Sequence, residues 1–104
     1  MQEIDNKSAG HELEEQNIGL TFIHTPFCGT CHLARKMLTT IEVTYNRDLF
    51  KECNASLHPD LMKTYQIKSV PCLLITHHGE ILEKIYAFHS VPFMYDKLSE
   101  YVKK

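Results

Sequence analysis

The stretch Leu20-Thr21-Phe22-Ile23-His24-Thr25-Pro26-Phe27-Cys28-Gly29-Thr30-Cys31-His32 decides how the rest of the chain is read. Leu20 to His24 is a short apolar, β-branched run bounded by Gly19 and Pro26, which suits a buried strand. Cys28 follows four residues after that run, and a helical pattern begins at Cys31. Two cysteines three positions apart at a helix start bring their sulfurs within disulfide reach. The first of them lies over the unpaired N–H groups and the positive end of the helix dipole. That setting favours the thiolate, the attacking species in disulfide exchange. Cys28 is therefore the expected nucleophile and Cys31 the resolving thiol behind it.

Outward from this motif the pattern alternates. From Cys31 to about Thr40, Ala34, Leu38 and Ile41 share a face with Cys31 while Leu33 and Met37 line another, so the helix is expected to be covered on more than one side. Ile41 to Asn46, with Ile41, Val43 and Thr44, reads as the next strand. Upstream, the charged segment from about Asn6 to Asn17 reads as a weak helix with Ala9 and Leu13 as its few apolar residues. Downstream, a polar stretch through Cys53 and Asn54 reaches His58-Pro59-Asp60, where proline suits the first turn of a helix carrying Leu61, Met62 and Tyr65. Val70 to Thr76 is the most strand-like run, with Pro71 at its start, where a strand accepts proline. His77-His78-Gly79-Glu80 marks a hairpin, Ile81 to Ala87 the returning strand, and Phe93, Leu98, Tyr101 and Val102 a closing helix. This order predicts one α/β domain over residues 1–104, a central mixed sheet with helices on both faces.

Composition narrows the function classes. With 104 residues, 43% of them hydrophobic, the chain fits one core and leaves no room for a second. Its 11 basic and 13 acidic side chains are interspersed, which provides no extended basic surface for phosphates, so nucleic acid is not an expected partner. No apolar run approaches the roughly 20 residues of a membrane helix, and the polar, acidic start has no signal-peptide pattern. The expectation is a cytoplasmic monomer without membrane attachment. Four cysteines would make two structural disulfides, but a reducing compartment and a sufficient core argue for reading Cys53 and Cys72 singly.

The strand into Cys28-Gly29-Thr30-Cys31, the segment Tyr65-Gln66-Ile67-Lys68-Ser69-Val70-Pro71 before an apolar strand, and the His78-Gly79-Glu80 hairpin together resemble the thioredoxin family over most of the chain. The resemblance implies a thioredoxin-like fold with a central mixed four-stranded sheet, the first strand of full-length members being short or missing. It also implies a cis Pro71 beside the dithiol and a Val70 backbone that pairs with the substrate chain. Departures from the family pattern concern tuning. Phe27 stands where Trp is common, and Thr30 replaces the proline of thioredoxins proper. Phe22 occupies the position of a buried acid six residues before the first cysteine, which leaves His32, Thr30, His24 or water as the proton route. Lys36 stands at the family's helix proline, and Tyr86 at a glycine of the docking surface, where a phenol would narrow the groove or contact substrate.

Other readings are weaker. Cys31-His32 completes the Cys-x-x-Cys-His pattern of haem attachment, but a strand-turn-helix context suits a dithiol better. Seven histidines invite a metal site, yet Cys53 with His58 lacks the usual ligand spacing and His77-His78 falls on a turn. Cys72 is placed near the dithiol by Pro71 and reads as a small buried hydrophobe sooner than as a third thiol. The resulting expectation is a thiol-disulfide oxidoreductase acting on protein disulfides through Cys28 and Cys31. Phe27, Gly29, Thr30, Val70, Pro71 and Tyr86 form the substrate surface, and thioredoxin reductase or a low-molecular-weight thiol supplies electrons. No metal or organic cofactor is required, because the dithiol stores both electrons. The alternative is a redox-inactive or sensor-type binding module on the same fold. Thr30 adds a backbone N–H that favours the thiolate and so disfavours the disulfide. The Cys28–Cys31 couple is accordingly expected above the roughly −270 mV of thioredoxin. Equilibration with a glutathione or dithiothreitol redox buffer checks this, and a value at or below that mark contradicts it.

Overall fold

The computed structural model describes residues 1–4 and 9–102. Its elements run β1 (Gln2–Glu3), α1 (Ala9–Glu15), β2 (Ile18–His24), α2 (Gly29–Tyr45), β3 (Lys51–Asn54), a short 3-10 turn (Ala55–Leu57), α3 (Pro59–Thr64), β4 (Cys72–His77), β5 (Glu80–Ile85) and α4 (Val91–Leu98). The strands form one mixed sheet in the order β1-β3-β2-β4-β5. β1 and β2 flank β3 in parallel, β4 runs antiparallel to β2, and β5 returns antiparallel to β4. Five strands replace the four expected, because Gln2 and Glu3 add a two-residue parallel strand beside Lys51 and Glu52. The start of the first helix expected from Asn6 lies outside the described residues.

Alternation along the strands sorts the core into two halves. Leu20, Phe22, Leu73 and Ile75 pack on one side with Cys31, Ala34, Leu38 and Ile41 of α2 and Met94 and Leu98 of α4. Ile23, Cys53, Cys72 and Leu74 pack on the other with Leu13 of α1 and Leu61 and Met62 of α3. Gly19 belongs to β2 and does not bound it. It faces Thr76 across the β2–β4 ladder, where a Cβ would collide with the Thr76 hydroxyl. At the hairpin tip His78 and Gly79 both hold positive φ (47° and 85°), the requirement of a tight two-residue turn between His77 and Glu80.

The strand expected over Ile41–Asn46 is the last part of α2, and β3 starts at Lys51. Two facts overrule the β-branched composition. Ile41 continues the Ala34 and Leu38 stripe into the core, where it is fully buried. The Thr40 and Thr44 hydroxyls donate to the carbonyls of Lys36 and Thr40, at 2.9 and 3.1 Å, so both threonines are satisfied inside a helix. Asn46 ends the helix in the left-handed conformation, its N–H reaching the Glu42 and Val43 carbonyls. Leu33 and Phe93, expected in the core, are 57% and 41% exposed. Among the described residues no helix is long and apolar enough to cross a membrane.

The buried Glu42 carboxylate turns the chain from α2 into β3. Its Oε2 accepts from the N–H groups of Leu49 and Phe50 at 2.9 and 3.2 Å. Glu42→Ala strands both donors and is expected to cost about 2–4 kcal/mol. Glu42→Gln, which keeps an acceptor oxygen, should cost less. Urea denaturation at constant slope distinguishes the two.

Candidate active site

β2 lies in the middle of the sheet, and its last residue, His24, delivers the chain to the start of α2. Cys28 is the N-cap of that helix, with extended φ and ψ of −100° and 106°. Its sulfur takes the place usually held by a Ser or Asp oxygen and accepts from the Cys31 N–H at 3.2 Å. Cys28 is half-buried and Cys31 is 3% exposed beneath it. The sulfurs lie near disulfide distance, with the Cα atoms 5.2 Å apart. The Thr30 hydroxyl sits 3.3 Å from Cys28 Sγ and the Val70 carbonyl 4.0 Å from it. A thiolate on Cys28 therefore meets a backbone N–H and a hydroxyl able to donate, both at the positive end of a 17-residue helix.

Of the residues expected to form a substrate surface, Thr30, Pro71 and Tyr86 line one groove, and the Val70 carbonyl faces Cys28. The Val70–Pro71 bond is cis, and Val70 and Pro71 are half-buried opposite the dithiol. Beside them runs a groove of about 290 Å³ whose walls include Thr30, Leu33, Met37, Pro71, Tyr86 and His89. Gly29 is exposed, and Phe27 is 99% exposed at the approach to Cys28. Tyr86 forms part of the wall of this groove. Its hydroxyl accepts from the Lys68 N–H at 3.2 Å, which ties the ring to the segment leading into Pro71.

Sheet parity removes Cys72 from the dithiol's side. It lies with Cys53 in the core half opposite Cys31, both thiols flanking Ile23 on neighbouring strands. Burial pushes both up to about 11, the Cys72 thiol against the opposing influence of Lys84 and Tyr86. Among the described residues no three His, Cys, Asp or Glu side chains gather as a metal cluster. His77 and His78 instead direct ring nitrogens at the carbonyls of Asn17 and Glu14.

On the α2 side of the sheet, His24, one of the candidates for the proton route, joins an ionic pair that the sequence did not announce. Arg35, one turn beyond Cys31, donates to Glu52 Oε1 at 2.7 Å and lies 5.3 Å over the ring of Phe22. Phe22 is fully buried and stacks on His24 at 5.5 Å. Burial holds the His24 imidazole below its ordinary range, Arg35 acting in the same direction and Glu52 and Glu3 against it. Arg35 and Glu52 are 17 residues apart, and only the pairing of β3 with β2 brings Glu52 level with Phe22.

The family model described as Thioredoxin matches residues 3–103. The chain belongs to the thioredoxin family. The Thioredoxin-like protein YusE of Bacillus subtilis (strain 168) is 42% identical over 92 residues, spanning 86% of this chain and 87% of that protein. Among solved structures, oxidised thioredoxin from Plasmodium falciparum superposes with a TM-score of 0.80 at 11% identity, covering 99% of this chain and 100% of its own. A mutant thioredoxin from Halobacterium salinarum NRC-1 superposes with a TM-score of 0.79 at 14% identity, covering 100% of this chain and 91% of its own. The fold is thus thioredoxin-like, and family membership together with the Cys28–Cys31 pair carries a thioredoxin-like redox function.

The geometry separates the four thiols by reactivity. In the reduced, folded protein at pH 7, Cys28 is expected to alkylate first with iodoacetamide. Cys53 and Cys72 should react only once the chain is denatured, and mass mapping of the labelled peptides checks this.

Proposed function

We propose that the chain is a thiol-disulfide oxidoreductase that reduces disulfides in protein substrates through Cys28 and Cys31 in the cytoplasm. Thioredoxin reductase or a low-molecular-weight thiol returns it to the dithiol. The observation that carries this reading is the hydrogen bond from the Cys31 amide to Cys28 Sγ at the helix N-cap, with Cys31 buried behind. An accessible sulfur stabilised as thiolate attacks, and a shielded second thiol within reach ends the mixed disulfide. The exposed Phe27 and the apolar groove beside Pro71 support a protein substrate, since they offer contact area beyond the reacting sulfur. A binding module on the same fold would have no use for two sulfurs held within disulfide reach.

Insulin reduction driven by NADPH and thioredoxin reductase, or by a low-molecular-weight thiol, tests the activity, and absence of turnover with either donor overturns it. Cys31→Ser is expected to accumulate covalent complexes with substrate proteins through Cys28. Complexes of equal yield in the Cys28→Ser variant would contradict the assignment of the nucleophile.

A further inference from the structure

The resolving thiol must lose a proton in surroundings that disfavour ions. Cys31 is as buried as the two thiols on the far side of the sheet, which that burial makes unreactive near neutral pH. A thiol in such a place attacks as thiolate only when a base takes its proton. Strand alternation brings candidates to this end of the α2 side of the sheet. Phe22 packs in the same core half as Cys31, Glu52 is its register partner on β3, and His24 follows two residues later on the same face of β2.

Within this group the roles divide by charge. Glu52, with its side chain 13% exposed, is engaged by the Arg35 guanidinium at 2.7 Å. His24 is different. Its Nε2 is buried 3.3 Å from the Glu52 Oε1 that Arg35 holds. The ring is stacked on Phe22, the residue over which Arg35 arches from one turn beyond Cys31. The charged groups facing it are Arg35 from α2, Glu52 from β3 and Glu3 from β1. A neutral imidazole can receive a proton, and the adjacent Glu52 side chain steadies the cation that results.

We propose that His24 is the proton acceptor for Cys31, with Glu52 and Arg35 as positioning residues, a role that rests on the dithiol chemistry proposed above. Once Cys28 has attacked a substrate disulfide, it is bonded to one substrate sulfur. The Cys31 S–H proton passes to His24, and the Cys31 sulfur attacks Cys28. The Cys28–Cys31 bond forms as the bond from Cys28 to the substrate sulfur breaks. That sulfur leaves as a thiolate and takes the proton from the imidazolium. The dithiol supplies both electrons and ends as the disulfide.

Stopped-flow reaction of the reduced protein with 5,5′-dithiobis(2-nitrobenzoate) separates the two steps. A bimolecular first release of the coloured thiolate reports Cys28, and a unimolecular second release reports attack by Cys31. In His24→Gln the second phase is expected to slow by roughly a hundredfold at pH 7, and its rise with pH should move to the higher range in which the buried Cys31 thiol ionises unaided. The first phase should stay within about twofold. In Glu52→Gln that rise should move to lower pH, because the carboxylate no longer holds the proton on His24. A second phase with the wild-type pH profile in His24→Gln overturns the proposal. If that variant does not fold, an unmoved profile in Glu52→Gln does the same. Two clean phases without insulin reduction would sink the reductase reading and leave the proton path standing. Insulin reduction with a second phase indifferent to both variants would do the reverse.

Discussion

The chemistry depends on one hydrogen bond across a strand-to-helix junction, from the Cys31 amide to the Cys28 sulfur. Every helix leaves its first N–H groups without partners, and here the partner supplied is a side chain whose charged form binds them best. The bond has redox consequences because it favours the thiolate of the reduced form. A change of 30 mV corresponds to about 1.4 kcal/mol, comparable to a single hydrogen bond to a charged group. The Thr30 hydroxyl lies 3.3 Å from the same sulfur.

The second organising constraint is the two-residue period of the sheet. β2 is covered on both sides, so each of its residues is committed to one half of the core. Phe22 and His24 go to the side of α2, and Ile23 goes to the other with Cys53 and Cys72 as its neighbours. One residue of parity separates the core half that holds Cys31 from the half that holds Cys53 and Cys72. The same parity puts His24 and Glu52 on the face that α2 covers, where Arg35 reaches Glu52.

Much of this architecture is legible in the chain itself. The apolar run ending at His24, the cysteine spacing, Pro71 ahead of an apolar strand and the Gly79 hairpin each act through local rules of backbone conformation, and the elements they mark are present. Reading and fold part where local preference and packing disagree. Ile41, Val43 and Thr44 favour a strand, but burial of Ile41 and the Asn46 cap prolong the helix. Leu33 reads as core and instead lines the groove beside Pro71, more than half exposed.

The sequence by itself determined the dithiol, its place at a helix start, the order of the main elements and the family resemblance, because these rest on contacts within a few residues. Only the tertiary structure decided which side of the sheet each cysteine faces and where β3 begins. It alone joined Arg35 on α2 to Glu52 on β3 and set His24 beside them. Those outcomes depend on strand register and on burial shared between segments far apart in the chain, and no local pattern encodes either.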